Sequence, residues 1–463
     1  MEKKWKILWI VVLTSFMSAL DVSITNVAMP AIGESLKASF QLIALVPLFY
    51  LMSLALFVIP FGRLADIHGR KYFYITGVGV FTLGSILCGA APTIHALISF
   101  RFLQGIGAAL IQASAIAIVT EIFPTNERGK AIGITIASVY TGLTAGPMIG
   151  GLILQALSWR YIFYVNIPIG ILALIGSFIY IEHVREEEDK GKFSWLGSAG
   201  LIIFLFSLLA GMQFFTPALT VALAAFGLTI LISTEGWSSN PLIRLRHLGR
   251  NKMFIASNLT AFLNYIGIFT VSFLMSFYFI VVRELNPLFA GMMLGIMPLT
   301  QAVLSPFSGK MSDRIGGRTL CSFGMLLITL GLVLLAYVSI QSSLAWIGFC
   351  LLMTGFGMGL FSSPNTSAVM GSVEKHHLGI ASSFLATMRL LGQSVSIIIM
   401  TVIMAKFVPT DLLSQIVAGI AQNATTAKIE FMMGLHYSFL ILAVFPLIGI
   451  FTSLARGKRK VIT

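Results

Sequence analysis

Apolar residues fill this chain in long runs, near 7–30, 40–62, 72–91, 95–121, 130–155, 160–181, 196–213, 217–234, 254–282, 287–309, 319–339, 343–369, 379–406 and 434–455. A short polar stretch closes each run. A helix rises about 1.5 Å per residue, so about 20 residues cover a hydrocarbon core of roughly 30 Å. Backbone polar groups in lipid must be satisfied within their own segment, which makes each run a helix. The pattern predicts an all-α membrane protein of fourteen transmembrane helices. An even count puts both chain ends on one side.

The polar stretches alternate in charge. Lys3, Lys4 and Lys6, the loops 62–71, 126–130, 182–195, 244–252, 309–318 and 370–378, and the tail from Arg456 to Lys460 all fall on one face. About 23 of the 30 Lys and Arg lie on or beside that basic face, against Lys37, Arg160, Arg283, Lys406 and Lys428 opposite. The positive-inside rule makes the basic face cytoplasmic, which predicts a multi-pass plasma-membrane protein with both termini inside. The lysines before the first run mimic a signal peptide, but that run is too long and carries Asp21, so it reads as a retained helix.

The two halves echo each other. GRLADIHGRK at 62–71 has a degenerate copy, GKMSDRIGGR, at 309–318, an interval of 247 residues. Six helices need fewer residues than that, and the run pair at 196–234 accounts for the excess. The predicted organisation is an N-terminal six-helix bundle over 1–182, a linker with an inserted helix pair over 183–253, and a C-terminal six-helix bundle over 254–463. Paired bundles around a midplane site suit alternating-access transport. The last bundle carries a long external loop, 407–433, where Leu412, Leu413, Ile416, Val417 and Ile420 predict a short interfacial helix. Asn423 opens an N-glycosylation sequon in the same loop.

Composition removes other classes. Hydrophobic residues make up 57% and charged residues 10%, against roughly 25% charged in soluble domains. The net charge of +13 comes in short clusters between runs, as topology signals do, so no nucleic-acid partner is expected. Cys88, Cys321 and Cys350 all lie in apolar runs with no paired spacing, which predicts neither disulfide nor metal site. His436 stands alone and His376–His377 lies in a short loop, so no catalytic constellation or enzyme activity is expected.

Against this background the polar exceptions inside the runs carry the chemistry. Asp21 lies deep in the first run, where a carboxylate costs about 2.5 to 3.5 kcal/mol and is a functional residue by default. Arg101 opens RFLQGIGAALIQA in the fourth run, and Arg101, Gln104, Ala108 and Gln112 share one helical face. Counting from Pro30 and Ile94, Asp21 and Arg101 both sit roughly 10 to 14 Å below the outer surface, so they are predicted to meet. The plainer readings are an Asp bonded to a neighbouring helix and an Arg that snorkels outward.

Two further patterns concern motion. GLTAGPMIGG in the fifth run sets Gly142, Gly146 and Gly150 on one face, where small residues let another helix approach, while Pro147 bends the helix before Gly151. In 62–71, Gly62 and Gly69 permit turns and Asp66, Arg70 and Lys71 bring opposite charges together. Asp66 can pair with Arg128 or sit at a helix N-terminus as a latch, and Asp313 marks the same place in the second copy. Asn26, Tyr50, Gln104, Gln112, Tyr140, Tyr265, Phe269 and Arg389 are candidate cavity residues, although aromatic side chains on apolar helices more often pack against neighbours or lipid.

LDVSITNVAMP, GRLADIHGRK, RFLQGIGAALIQA, GLTAGPMIGG and SWRYIFYVNIPIG together resemble the major facilitator superfamily, specifically its fourteen-span drug:proton antiporter branch, over nearly the whole chain. The resemblance implies that Asp21 is the proton site, Arg101 its coupling partner, Gly146 and Pro147 the antiporter hinge, and Asp66 with Arg70 the cytoplasmic gate. Arg389 matches a recurrent position of the branch. Ile67 replaces a usual basic residue, and Ser194 stands where an acid often precedes Trp195. The expected function is proton-coupled multidrug efflux of lipophilic, monovalent cationic compounds by a monomer, driven by the proton motive force without a cofactor. A carrier of neutral, zwitterionic or metal-chelated solutes and a non-transporting membrane sensor are the rivals. Small lipophilic substrates, protons and membrane lipid are the implied partners.

Overall fold

The computed structural model describes residues 2–181, 193–237, 251–374, 378–409 and 425–456. Among these residues the chain is helical throughout. In order the helices are α1 (Lys3–Leu36), α2 (Phe40–His68), α3 (Arg70–Gly89), α4 (Ile94–Ile122), α5 (Thr125–Ala156), α6 (Tyr161–Tyr164), α7 (Asn166–Tyr180), α8 (Trp195–Phe214) and α9 (Pro217–Trp237). There follow α10 (Lys252–Ile268), α11 (Thr270–Phe277), a π-helical turn (Tyr278–Val282), α12 (Pro287–Ile315), α13 (Gly317–Ala336), α14 (Leu344–Met370), α15 (Leu378–Phe407) and α16 (Thr425–Leu454).

Thirteen helical spans among the described residues are long and apolar enough to cross a membrane, and the remaining predicted run lies in α8, apolar along Trp195–Gly211. Several starts are set by local chemistry. Ser39, Thr93, Ser194, Asn251, Asn286 and Ser343 each accept a hydrogen bond from the backbone N–H three residues on, which satisfies a donor the helix leaves orphaned.

Three boundaries differ from the sequence expectation. α1 continues through Pro30 to Leu36, because a proline inside a membrane helix frees few backbone groups and neighbouring helices re-satisfy them. α16 starts at Thr425, nine residues before the last apolar run, so part of the expected external loop is helix. The ion pair of Lys428 with Glu284, 2.5 Å apart, makes that polar first turn tolerable. The sixth span is broken between Tyr164 and Asn166 into α6 and α7. The interfacial helix expected near 412–420 and the Asn423 sequon lie outside the described residues, as do 182–192 and 238–250.

The two loop copies fold alike. Gly69 separates α2 from α3 at φ +100°, and Gly316 separates α12 from α13 at φ +86°. Both backbones lie in the left-handed region that only glycine adopts freely, and the two positions are 247 residues apart, the same interval as the sequence copies.

Packing brings α1 against α5, α2 and α3 against α4, α12 and α13 against α14, and α16 against α10 and α13. α8 pairs with α9 and leans on α2 and α15. The first and last six spans meet chiefly through α5 on α12 and α2 on α15. These contacts concentrate at the face opposite the basic one. There Phe40 of α2 meets Phe273 and Phe277 edge to face or tilted at 5.7 and 5.4 Å, and Phe277 meets Phe431 at 6.4 Å. Toward the basic face, Gly129 and Gly133 of α5 and Gly379 of α15 look onto open space.

Candidate functional site

Asp21 and Arg101 do meet. Both are buried, at 0% and 1% exposure, and the Arg101 guanidinium lies 2.6 Å from Asp21 Oδ2. A buried pair of this kind persists only with further hydrogen bonds, and the helices supply them. Gln104 Nε2 and Asn166 Nδ2 both donate to Asp21 Oδ1, at 2.9 and 2.8 Å. Arg101 also donates to Gln104 Oε1 at 2.7 Å, while Gln104 donates to Ser85 Oγ at 2.8 Å. Arg101 stacks over the Tyr50 ring at 4.2 Å and reaches the Phe163 ring at 5.7 Å. A cation over an aromatic face in a dry site gains about 2 kcal/mol or more.

Each partner is placed by its own element. Arg101 and Gln104 are one helical turn apart on α4, so both face α1. Ser85 comes from α3, Tyr50 from α2 and Asn166 from the first position of α7, where the break after α6 turns its side chain inward. Five spans thus converge on one carboxylate. Asn166 and Ser85 escaped the sequence reading. Their signal was available: Asn166 is a lone amide in the apolar run 160–181, as Asp21 is a lone acid in its own.

The glycines of the fifth span face two partners. Cβ atoms on Gly142 and Gly146 would collide with α1 at Phe16 O and at Ser23, and one on Gly150 would meet Ile24. Gly151 instead abuts Pro287 and Leu288 of α12, and Gly291 of α12 abuts Pro147. The second contact, between the first and last six spans, was not legible from spacing. Ser23 Oγ donates to Leu143 O at 2.8 Å, which ties α1 to α5 beside Pro147.

On the basic face Asp66 pairs with Arg70 at 3.1 Å, and Arg70 also pairs with Glu121 at the end of α4 at 3.1 Å. Glu121 ends an apolar run 51 residues beyond Arg70, so the loop motif gives no sign of it. A Cβ on Gly62 would lie 4.0 Å from that of Ala113 and meet nothing closer. The Nε of Arg128 is buried without a hydrogen-bond partner. The side chain of Asp313 lies outside the described residues.

The candidate cavity residues separate. Tyr50 and Gln104 belong to the Asp21 cluster, and Asn26 is buried with its Oδ1 unpartnered. Gln112 is exposed, which takes it out of the buried stripe of Arg101, Gln104 and Ala108. Tyr140 of α5 shares a hydrogen bond with Ser362 of α14 at 2.9 Å. Arg389 of α15 is half-buried, donates to Thr366 Oγ1 at 2.6 Å and lies 5.8 Å from the ring of Tyr265. Among the described residues no carboxylate pairs with Arg389. Phe269 is half-buried beside the α10–α11 junction.

The chain is similar to several transporters. It is 34% identical over 397 residues to the riboflavin transporter RibZ of Clostridioides difficile, covering 85% of this chain and 86% of that protein. It is 32% identical over 415 residues to the multidrug resistance protein Stp of Mycobacterium tuberculosis, covering 86% and 75% respectively. A bacterial homologue of the human lysosomal transporter Spinster, solved inward-facing and unoccupied, superposes with a TM-score of 0.72 at 17% identity, over 98% of this chain and 97% of that one. The Major Facilitator Superfamily model matches residues 11–397, and the chain belongs to that superfamily of membrane transporters.

Proposed function

We propose that the protein is a proton-coupled antiporter that exports lipophilic organic solutes by alternating access. One observation carries this reading: a carboxylate at bilayer depth, wholly buried, holding an arginine and two amides through its two oxygens. A proton on Asp21 removes the charge that binds Arg101 and loosens α1 from α4 and α7 at once. Protonation and helix movement are thereby the same event. The names of the relatives, multidrug resistance and riboflavin transport, support the movement of organic solutes.

The remaining parts of the reading follow from placement. The basic face is cytoplasmic and both termini lie inside. α1–α7 and α10–α16 form two six-span bundles, with α8–α9 inserted between them over 183–253. The glycines at 142, 146, 150 and 151 with Pro147 are the hinge, and Asp66 and Arg70, with Arg128, latch the inner gate when it closes. Closure at the face opposite the basic one then makes this conformation inward-facing.

The geometry favours neutral or zwitterionic solutes over the monovalent cations expected from sequence. Asp21 has little left for a substrate cation, since Arg101 balances its charge and Arg101, Gln104 and Asn166 take three of its roughly four acceptor sites. Arg389 adds a positive charge in the second half that pairs with no carboxylate among the described residues. Asp21→Asn keeps the shape and removes the titration. In proteoliposomes with an imposed pH gradient this variant should lose uphill transport of every substrate while still binding neutral ligands, and uphill transport by it overturns the coupling role. Preferential export of ethidium over tetracycline by the wild type would overturn the substrate preference.

A further inference from the structure

The first half neutralises its basic-face arginine within the chain: Arg70, at the start of α3, bonds Asp66 and Glu121. Among the described residues the second half does not. In its loop copy Gly317 stands where Arg70 stands in the first, and α14, the counterpart of α4, contains no Asp or Glu at all. The cation there comes from elsewhere. Arg456, just beyond the end of α16, folds back between α13 and α14, 4% exposed, with one terminal nitrogen 2.5 Å from Asn365 Oδ1 and another 3.4 Å from Cys321 Sγ.

Among the described residues Arg456 touches no carboxylate, and its Nε is buried with no hydrogen-bond partner. Burial pulls this guanidinium below its ordinary pKa, opposed only by Cys321. It lines a cavity of about 680 Å³ that opens at the basic face, and Arg314 and Arg318 line the same cavity. The start of α13 is also there, capped by no side chain, so its first N–H groups and the positive end of its dipole add to the field. Against Asp313 alone, the segment sets Lys310, Arg314 and Arg318 besides Arg456.

Apolar side chains lie among these arginines. Met253, Ile315 and Leu454 line the cavity too, and Ile315 and Leu454 are 55% and 41% exposed at the helix ends. A site with arginines at interface depth and apolar side chains among them matches a phosphate that carries acyl chains. We propose that this cavity binds the phosphate of an anionic phospholipid, which supplies from the membrane the negative charge that Asp66 and Glu121 supply in the first half. The lipid joins the ends of α12, α13, α14 and α16 on the basic face.

The test is native mass spectrometry of the purified full chain in detergent, titrated with phosphatidylglycerol, with phosphatidylcholine of the same acyl chains, or with millimolar inorganic phosphate. The wild type should retain one phosphatidylglycerol in preference to phosphatidylcholine, and inorganic phosphate should not displace it. A basic residue near the headgroup contributes about 1 kcal/mol, or roughly fivefold in affinity. The double variant Arg314→Ala, Arg318→Ala, altered at two exposed positions, should therefore bind phosphatidylglycerol about 25-fold more weakly. Arg456→Gln should weaken it further, and should this variant not fold, the double variant decides alone. Equal retention of the two lipids, unchanged affinity in the double variant, or displacement of the lipid by inorganic phosphate would each overturn the assignment.

Discussion

Asp21 Oδ1 accepts from two amides, and only one of them, Gln104, shares a helix with Arg101. Asn166 reaches the carboxylate from α7, so it reports on the position of the sixth span. A hydrogen bond to a charged group contributes about 1.5 to 3 kcal/mol, or roughly 10- to 100-fold in the equilibrium it biases. Asn166→Leu should leave the protein in the membrane and lower pH-gradient-driven efflux at least about tenfold. Gradient-independent exchange of substrate should survive. Equal loss of both activities would mean that Asn166 only holds the fold.

At the scale of elements the fifth span decides the closeness of three helices. Gly146 lies so near Ser23 and Ile24 of α1 that any Cβ must displace backbone, and Pro147 frees the carbonyl one turn earlier to let the helix bend. Gly146→Leu should abolish transport in a protein that still inserts, because the approach that carries Asp21 past α5 is lost. Normal efflux from a well-expressed variant would contradict the hinge. The spacing of the glycines was enough to foresee an intimate helix contact. It could not say that Gly151 turns away from α1 toward Pro287, since adjacent residues on a helix point about 100° apart and the neighbour on that side comes from the other end of the chain.

For the whole molecule, contacts between the first and last six spans gather opposite the basic face, so moving to the other state requires new contacts on the basic face. Asp66 and Arg70 lie there, in an ion-pair network with Glu121 within the first six spans while that face is open. They latch the gate through further contacts with the last six spans as it closes. Asp66→Asn should weaken the inner gate and shift the population toward the conformation open at the basic face. Cysteines placed on α5 near Gly129 should then label faster from the cytoplasmic side in right-side-out and inverted vesicles compared in parallel. Slower or unchanged labelling would count against the latch.

The sequence by itself determined the solvent of this protein and the identity of its charged centre. Apolar run length sets the helices because lipid offers the backbone no partners, and the same lipid makes Asp21 and Arg101 conspicuous. It also placed the loop copies, whose glycines at 69 and 316 adopt the same left-handed turn. What the tertiary structure decided is who stands next to whom. Asn166, Ser85 and Glu121 are ordinary polar residues until folding brings them to a charge. Gln112 continues the helical stripe of Arg101, yet it is exposed while Ile111 and Ser114 beside it are buried. Arg456 reads as one more basic tail residue, and only its packing between α13 and α14 leaves it a buried cation with no carboxylate among the described residues. Periodicity fixes which face of a helix a residue occupies. Which helix covers that face depends on contacts between residues distant along the chain, and no local pattern encodes them.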